Sequence, residues 1–128
     1  VLRSMNDDEL LARADTGAER AYAPDSGFHV GCAVLARDGR VIEGVNVANA
    51  AYPLGVCAER TTFARAVSEG YRPGAFTVAA ITASPCGGCR QWLVEMGVER
   101  VVFRNGGRIV HMKVDELLPE QFDSGNLA

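Results

Sequence analysis

Three cysteines and one glutamate are the residues of this chain whose types and spacing could do chemistry. Cys86 and Cys89 form a C-x-x-C pair in "SPCGGCRQ", while Cys57 and Glu59 lie upstream in "VCAER". Thiolates bind metals, and a C-x-x-C pair also occurs in redox disulfides. The pair by itself is compatible with a redox centre, with part of a metal site, or with two unrelated thiols.

Both cysteine motifs are predicted to begin helices, over residues 56–70 and 85–97. Helix N-termini stabilise thiolates through free N–H groups and partial positive charge. Cys86 and Cys89 stand at i and i+3 of a first turn, so both sulfurs can face one point. Together with Cys57 they would make a Cys₃ zinc site whose fourth position is open, which is typical of catalytic zinc.

Glu59 lies two residues after Cys57, where a first helical turn can aim its carboxylate at that open position without making it a ligand. Water on such a zinc has a pKa near ~7 and needs a partner that takes and returns its proton. A redox pair would explain neither Cys57 nor Glu59. A non-catalytic zinc module would not need Glu59 beside an open metal position.

The other segments predict the scaffold that positions these residues. We expect a helix over 6–22, a β-hairpin of 28–36 and 40–48 turning at Asp38-Gly39, and a buried strand over 76–83. Two short strands over 100–105 and 108–113 and a helical turn in "DELLPEQF" complete the order α-β-β-α-β-α-β-β. This order predicts an α/β fold, a three-layer α/β/α sandwich with a five-stranded mixed sheet, as one domain over residues 5–128. We expect residues 1–4, "VLRS", to be an expression remnant before a native start at Met5.

Composition excludes several classes of protein. The 128 residues are 48% hydrophobic and carry a net charge of −3, so neither nucleic acid nor an anionic membrane is expected as a partner. No apolar stretch is long enough to span a bilayer, and no signal peptide opens the chain. Four cysteines are few for a disulfide-stapled secreted domain, so we expect a cytoplasmic protein.

The motifs together resemble those of the small homotetrameric cytidine deaminases over nearly the whole chain. "FHVGCAVL", "NVANAAYPLGVCAER", "SPCGGCRQ" and "LLPEQF" match that family's landmarks in order and spacing. A metal ligand, one residue, glutamate and then P-C-x-x-C is the known zinc-deaminase signature. The resemblance implies hydrolytic deamination of cytidine and 2′-deoxycytidine, with Zn²⁺ as cofactor and a small nucleoside as partner.

The resemblance also implies a role for each matching residue. Zinc would be bound by Cys57, Cys86 and Cys89, and protons would be moved by Glu59. Phe28 and Asn46 would line the pyrimidine and ribose pocket, whereas the Ala50 backbone, Tyr52 and Phe122 would reach the site of a neighbouring subunit. Arg60 falls where family members with three cysteines keep an arginine against the thiolates, offsetting the net −1 charge of zinc with three thiolates.

Three features depart from the family. Ala48 in "NVAN" stands where the family has a glutamate that accepts hydrogen bonds from the ribose. Asp25 in "PDSGF" stands where an aromatic residue is usual, and the loop before Ser84 is short. The chemistry residues are intact while substrate-reading residues are changed, so an alternative remains open: a deaminase of another amino-pyrimidine, such as blasticidin S or a modified or free cytosine.

Other candidate residues have structural interpretations. Cys32 in "VGCAV" could close a Cys₄ zinc site, but a buried free cysteine within a strand is the expected arrangement. His29 and His111 lie in predicted strand segments without a ligand-spaced partner. Arg90 either screens the thiolates or is simply exposed on its helix.

Overall fold

The computed structural model describes residues 5–128, so the interpretation of residues 1–4 lies outside the described residues. The helices and strands follow the predicted order. They are α1 (Asp7–Ala18), β1 (Gly31–Ala36), β2 (Val41–Val45), α2 (Ala58–Ser68), β3 (Phe76–Ile81), α3 (Gly87–Glu95), β4 (Arg100–Asn105), β5 (Arg108–Lys113) and α4 (Val114–Leu117). Short 3₁₀ turns lie at Tyr52–Leu54 and Ser124–Leu127.

The five strands form one mixed sheet in the order β2-β1-β3-β4-β5. β3 and β4 are parallel, and every other neighbouring pair is antiparallel. The hairpin turns at Gly39, whose φ of 91° lies in the left-handed region that glycine adopts without strain. The predicted mixed sheet is confirmed.

Helices cover both faces of the sheet. On one face, α1 buries Leu10, Leu11 and Ala14 against alternate residues of the central strands. On the other face, α2 and α3 bury Phe63 and Leu93 in a larger apolar core. The predicted α/β/α sandwich is therefore confirmed, and both helices that carry cysteine motifs lie in one layer.

The topology brings the segments that contain the candidate site residues to one edge of this sheet. β2 and β3 both run antiparallel to β1, so they share a direction and their carboxyl ends meet at the same edge. α2 follows β2 along the chain, α3 follows β3, and the chain enters β1 at that same edge. Three connecting segments, residues 28–30, 46–57 and 82–86, are thus neighbours in space although they are distant in sequence.

Two glycines let helices approach the sheet closely. A Cβ on Gly31 would lie 2.0 Å from the Ala14 carbonyl oxygen of α1, and a Cβ on Gly44 would lie 2.3 Å from the Thr62 hydroxyl of α2. Gly44 therefore fixes how near α2, and with it Cys57 and Glu59, can come to β2. No motif indicated this requirement.

The element ends differ from the predictions where the chain makes other hydrogen bonds. α1 ends at Ala18 rather than near Tyr22, because the Tyr22 N–H donates to the Asn46 carbonyl oxygen at 3.1 Å and the Tyr22 carbonyl accepts from Ala48 N–H at 2.7 Å. β1 begins at Gly31, so His29 lies before the strand. In the described part of the chain, no helix is long and apolar enough to cross a membrane.

Candidate metal centre and active site

Two cysteines occupy the N-cap positions of α2 and α3. Cys57 has φ −72° and ψ 157°, and Cys86 has φ −70° and ψ 171°, both extended conformations outside the helix. Their carbonyl oxygens accept the first intrahelical bonds, from Thr61 N–H at 3.0 Å and Arg90 N–H at 2.9 Å. Neither side chain caps its own helix, so both thiols are free to point elsewhere. The predicted helix starts are confirmed.

The three predicted zinc ligands converge. The sulfur atoms of Cys57, Cys86 and Cys89 all lie within 4.8 Å of one another, and all three cysteines are free thiols. A tetrahedral zinc with Zn–S bonds of about 2.3 Å holds its sulfurs about 3.8 Å apart, which this cluster meets with little adjustment. Cys89 is buried, Cys57 half-buried and Cys86 exposed, so the cluster opens to solvent on the Cys86 side. The donor set fits zinc with three protein ligands.

Burial and mutual repulsion disfavour ionisation of this cluster without a cation. Burial raises the pKa of Cys57 and of Cys89, and the nearby Glu59 carboxylate raises both further. Partial burial also opposes ionisation of Cys86, but the nearby backbone N–H groups of Cys89 and Gly88 and the neighbouring thiols favour its thiolate and lower its pKa. A bound dication would supply the missing compensation.

Glu59 lies beside the cluster in the first turn of α2. Only 3% of its surface is exposed, and burial raises the pKa of its carboxyl group. Hydrogen bonds from its own backbone N–H and from the Cys89 thiol lower that pKa by less than burial raises it. A buried carboxyl group whose pKa is moved toward neutrality is suited to accept and return protons.

A cavity of about 170 Å³ opens above the thiols and Glu59. Phe28 and Asn46 line it, as predicted, and so do Ala83 and Ser84, which sequence reasoning did not assign. Two wider clefts, of about 490 and 570 Å³, lie beside α1 and the β1–β2 turn, among arginines that are paired with acidic residues. The three thiols and Glu59 therefore face the smaller cavity, which is the candidate active site.

Asn46 has a second role that the motif did not reveal. Its Oδ1 accepts from Val30 N–H at 2.8 Å, and its Nδ2 donates to the Phe28 carbonyl oxygen at 2.8 Å. The amide thus fixes the backbone that presents Phe28 at the rim of the cavity. One N–H and one lone pair of this amide remain for a ligand.

Four of the predicted residues do not reach the cavity within the single chain. Ala50 is exposed, and Tyr52 and Phe122 are 79% and 58% exposed. Arg60 is also exposed and makes no hydrogen bond or ion pair among the described residues. Their predicted roles toward a neighbouring site or toward the thiolates remain predictions.

Cys32 and the two histidines stay outside the metal cluster. Cys32 is 1% exposed in β1, where burial raises the pKa of its thiol, and it contacts Thr62 behind Glu59. His29 is exposed, and His111 lies in β5 with its Nδ1 3.6 Å from the Asp7 carboxylate. Residues 5–128 thus place three thiols, rather than four, at the candidate centre.

Zinc binding should release at least two protons at pH 7. Burial raises the pKa of Cys57 and Cys89 above the ordinary 9.0, so both thiols are protonated in the metal-free chain, and zinc takes thiolates. Calorimetric titration in buffers of different ionisation enthalpy counts these protons, and the apparent zinc affinity should fall as pH falls.

Cys86→Ala should lose stoichiometric zinc, whereas the control Cys32→Ala should keep it. Release of fewer protons, or zinc retained in Cys86→Ala, would show that other residues bind the zinc.

Comparisons with known proteins agree with this geometry. Residues 4–105 match the family model described as the cytidine and deoxycytidylate deaminase zinc-binding region. A cytidine deaminase of Sporosarcina psychrophila is 41% identical over 97% of this chain and 96% of its own. One from Halalkalibacterium halodurans is 42% identical over 96% of this chain and 98% of its own.

Solved structures give the same result. The crystal structure of cytidine deaminase from Burkholderia pseudomallei superposes with a TM-score of 0.86 at 41% identity, covering 92% of this chain and all of the other. That of the Mycobacterium tuberculosis enzyme gives 0.81 at 33% identity, with coverages of 94% and 99%. The likeness extends over fold, length and the zinc-binding motifs alike, and the chain belongs to the zinc-dependent cytidine and deoxycytidylate deaminase family.

Proposed function

We propose that this protein hydrolyses cytidine and 2′-deoxycytidine to uridine and 2′-deoxyuridine with release of ammonia. The observation that supports it best is the Glu59 carboxyl group, buried beside three converging thiols at the base of a cavity lined by Phe28 and Asn46. The full-length relatives named cytidine deaminase favour this substrate over another amino-pyrimidine.

The reaction replaces the 4-amino group of the pyrimidine with oxygen from water. Cys57, Cys86 and Cys89 would hold a zinc ion, which would supply Lewis-acid activation of that water. Glu59 accepts a water proton and delivers it to ring N3, then moves the second proton to the departing amino group, which leaves as ammonia. One carboxyl group thus performs every proton transfer, and its burial raises its pKa above the ordinary 4.5, in the direction that favours proton uptake.

The cavity rim provides the contacts for the nucleoside. Phe28 offers an apolar face for the pyrimidine ring, and Asn46 offers its remaining N–H and lone pair to a sugar hydroxyl. The Ala50 backbone would bind the base edge. Pockets for small molecules typically measure about 300–1,000 Å³, so the 170 Å³ found in one chain suits a ring better than a whole nucleoside.

A homotetramer would complete the site. Several large apolar side chains are exposed on the single chain, an arrangement typical of protein interfaces. They include Tyr22, Tyr52, Leu54, Trp92, Phe122 and Leu127. In a tetramer Tyr52 and Phe122 would close the neighbouring cavities, and Arg60 would compensate the charge of the thiolates. Such an enzyme would act in the cytoplasm, in pyrimidine salvage.

A second candidate substrate is supported by one residue. Ala48 lacks the carboxylate with which the family's glutamate would accept from a ribose hydroxyl. A differently decorated cytosine, such as blasticidin S or the free base, would not need this carboxylate. Ammonia release from cytidine, deoxycytidine, cytosine and blasticidin S compares the two candidates directly.

Glu59→Gln should keep zinc and substrate binding but lose about 10²- to 10⁴-fold in kcat, because an amide cannot accept and return the protons. The variant also has a stability signature. Since burial raises the pKa of Glu59 above 4.5 in the fold, ionisation costs stability as pH rises from there through the folded-state pKa. The metal-free variant should therefore unfold at a higher temperature than the parent at pH 7. A kcat within tenfold of the parent would exclude Glu59 as the proton carrier.

The active protein should sediment as a tetramer. Analytical ultracentrifugation at assay concentrations measures this, with activity followed in the same samples. Phe122→Ala and Tyr52→Ala should raise KM for cytidine, whereas Ile109→Ala, which removes an exposed apolar side chain from the edge strand β5, serves as the control. A fully active monomer would show that Tyr52 and Phe122 do not contribute to a neighbouring site.

Ala48→Glu should raise kcat/KM for cytidine about 10- to 150-fold, since a charge-assisted hydrogen bond contributes about 1.5–3 kcal/mol. The gain should be smaller for an analogue without the 3′-hydroxyl. Ala48→Gln is matched in size and lacks the charge, so it should gain less. An unchanged or lower rate with cytidine, together with high activity of the parent on a sugar-free cytosine, would favour the second substrate.

A further inference from the structure

Arg90 ties together the segment that presents Cys86. Its Nε donates to the Pro85 carbonyl oxygen at 2.9 Å, and its Nη2 reaches the Ser84 hydroxyl at 3.4 Å. Its Nη1 donates to the Leu117 carbonyl oxygen at 2.9 Å, across a separation of 27 residues. One guanidinium therefore connects the loop before α3 with the end of α4.

This environment differs from that of most arginines in the chain. Seven arginines contact a carboxylate within 4.0 Å, namely Arg13, Arg20, Arg37, Arg40, Arg65, Arg100 and Arg104. Arg90 has no acidic partner among the described residues, and all three of its acceptors are neutral. Its positive charge therefore stands unpaired in the residue next to Cys89.

The same helix holds the rest of the C-terminal segment. Gln91, the next residue of α3, donates from its Nε2 to the Phe122 carbonyl oxygen at 2.7 Å. Leu117 is buried against the core, so the end of α4 is a firm anchor for the guanidinium. Two consecutive residues of α3 thus fasten residues 117–122 to the helix that contains Cys86 and Cys89.

The loop before α3 needs such a support. Cys86 is exposed, and no side-chain hydrogen bond caps the start of α3. Ser84 is also exposed, although it lines the cavity. The planar fork of arginine holds acceptors on two segments in a fixed geometry, whereas the three donors of a lysine ammonium rotate on a flexible stem.

We propose that Arg90 is a positioning residue of the metal centre. Its guanidinium fixes Ser84, Pro85 and Cys86 against the end of α4, and thereby holds the Cys86 sulfur toward the other two thiols. Metal binding and the order of the C-terminal segment are consequently coupled, each favouring the other. The inference rests on the zinc site of the proposed function and not on the choice of substrate.

The test compares Arg90→Met and Arg90→Lys with Arg72→Met. Arg72 is a matched control because it also donates only to neutral acceptors, the Val67 and Tyr71 carbonyl oxygens, away from the cavity. Zinc affinity is measured by competition with a chelator, and the ligand geometry by the thiolate-to-cobalt absorption of the Co²⁺-loaded protein. Loss of a group that orients metal ligands typically weakens metal binding about 10- to 100-fold. We expect this loss and an altered Co²⁺ spectrum in both Arg90 variants, and parental values in Arg72→Met.

Hydrogen exchange tests the coupling. In the parent, zinc should slow amide exchange in residues 114–122 as well as in residues 84–90, whereas in Arg90→Lys it should slow exchange only near the thiols. Slowing of both regions in Arg90→Lys would overturn the coupling.

Each outcome decides between positioning and its alternatives. Parental zinc affinity and Co²⁺ spectrum in Arg90→Met would overturn the proposal, and full rescue by Arg90→Lys would show that charge alone matters. If Arg90→Met does not fold, Arg90→Lys decides: parental affinity contradicts positioning, and a loss of about tenfold or more in a folded protein supports it. If the parent does not turn over cytidine and every variant keeps the parental zinc affinity, both proposals are refuted. If the parent does not turn over cytidine but the Arg90 variants lose zinc affinity as expected, only the proposed function is refuted.

Discussion

The site depends on one electrostatic constraint: three thiols and a carboxyl group lie close together, and the burial of Cys89 and Glu59 opposes their joint ionisation without a cation. Burial and the Glu59 carboxylate raise the pKa of Cys57 and Cys89, while Cys86, at the open side, has its pKa lowered. A dication that took the thiolates as ligands would resolve this conflict. Glu59 would then be the one acid of the cluster that is not bound to the metal, as its proposed role in proton transfer requires.

The fold meets this constraint through strand direction. Because β2 and β3 run the same way, the helices that follow them both begin at one edge of the sheet, with Cys57 and Cys86 at their N-caps. The backbone N–H groups of those helix starts favour thiolate over thiol. Gly44 lets α2 approach β2 closely, since any side chain at this position would displace Thr62 and move α2 away from β2. The ligand cluster is therefore a consequence of topology and close packing, not of local sequence alone.

Sequence was sufficient for the elements, the mixed sheet and the convergence of the three thiols, because each leaves a local signal: apolar periodicity, turn residues or cysteine spacing. It was insufficient for contacts between a side chain and a distant backbone. The bond from Arg90 to Leu117 and the amide clamp of Asn46 on residues 28–30 leave no periodic trace. The exposure of Arg60 and Phe122 is equally beyond pattern analysis, because neither residue lies in a periodic apolar or polar pattern that fixes its burial.

The chain at position 48 is held in place by its backbone and not by the side chain there. The backbone around Ala48 is held on both sides, by the bond from Ala48 N–H to the Tyr22 carbonyl oxygen and by the paired bonds between Val47 and Val56. A backbone fixed in this way lets the side chain at position 48 change without moving the segment that leads to Cys57. The side chain at position 48 can therefore differ while the thiols and Glu59 keep their geometry.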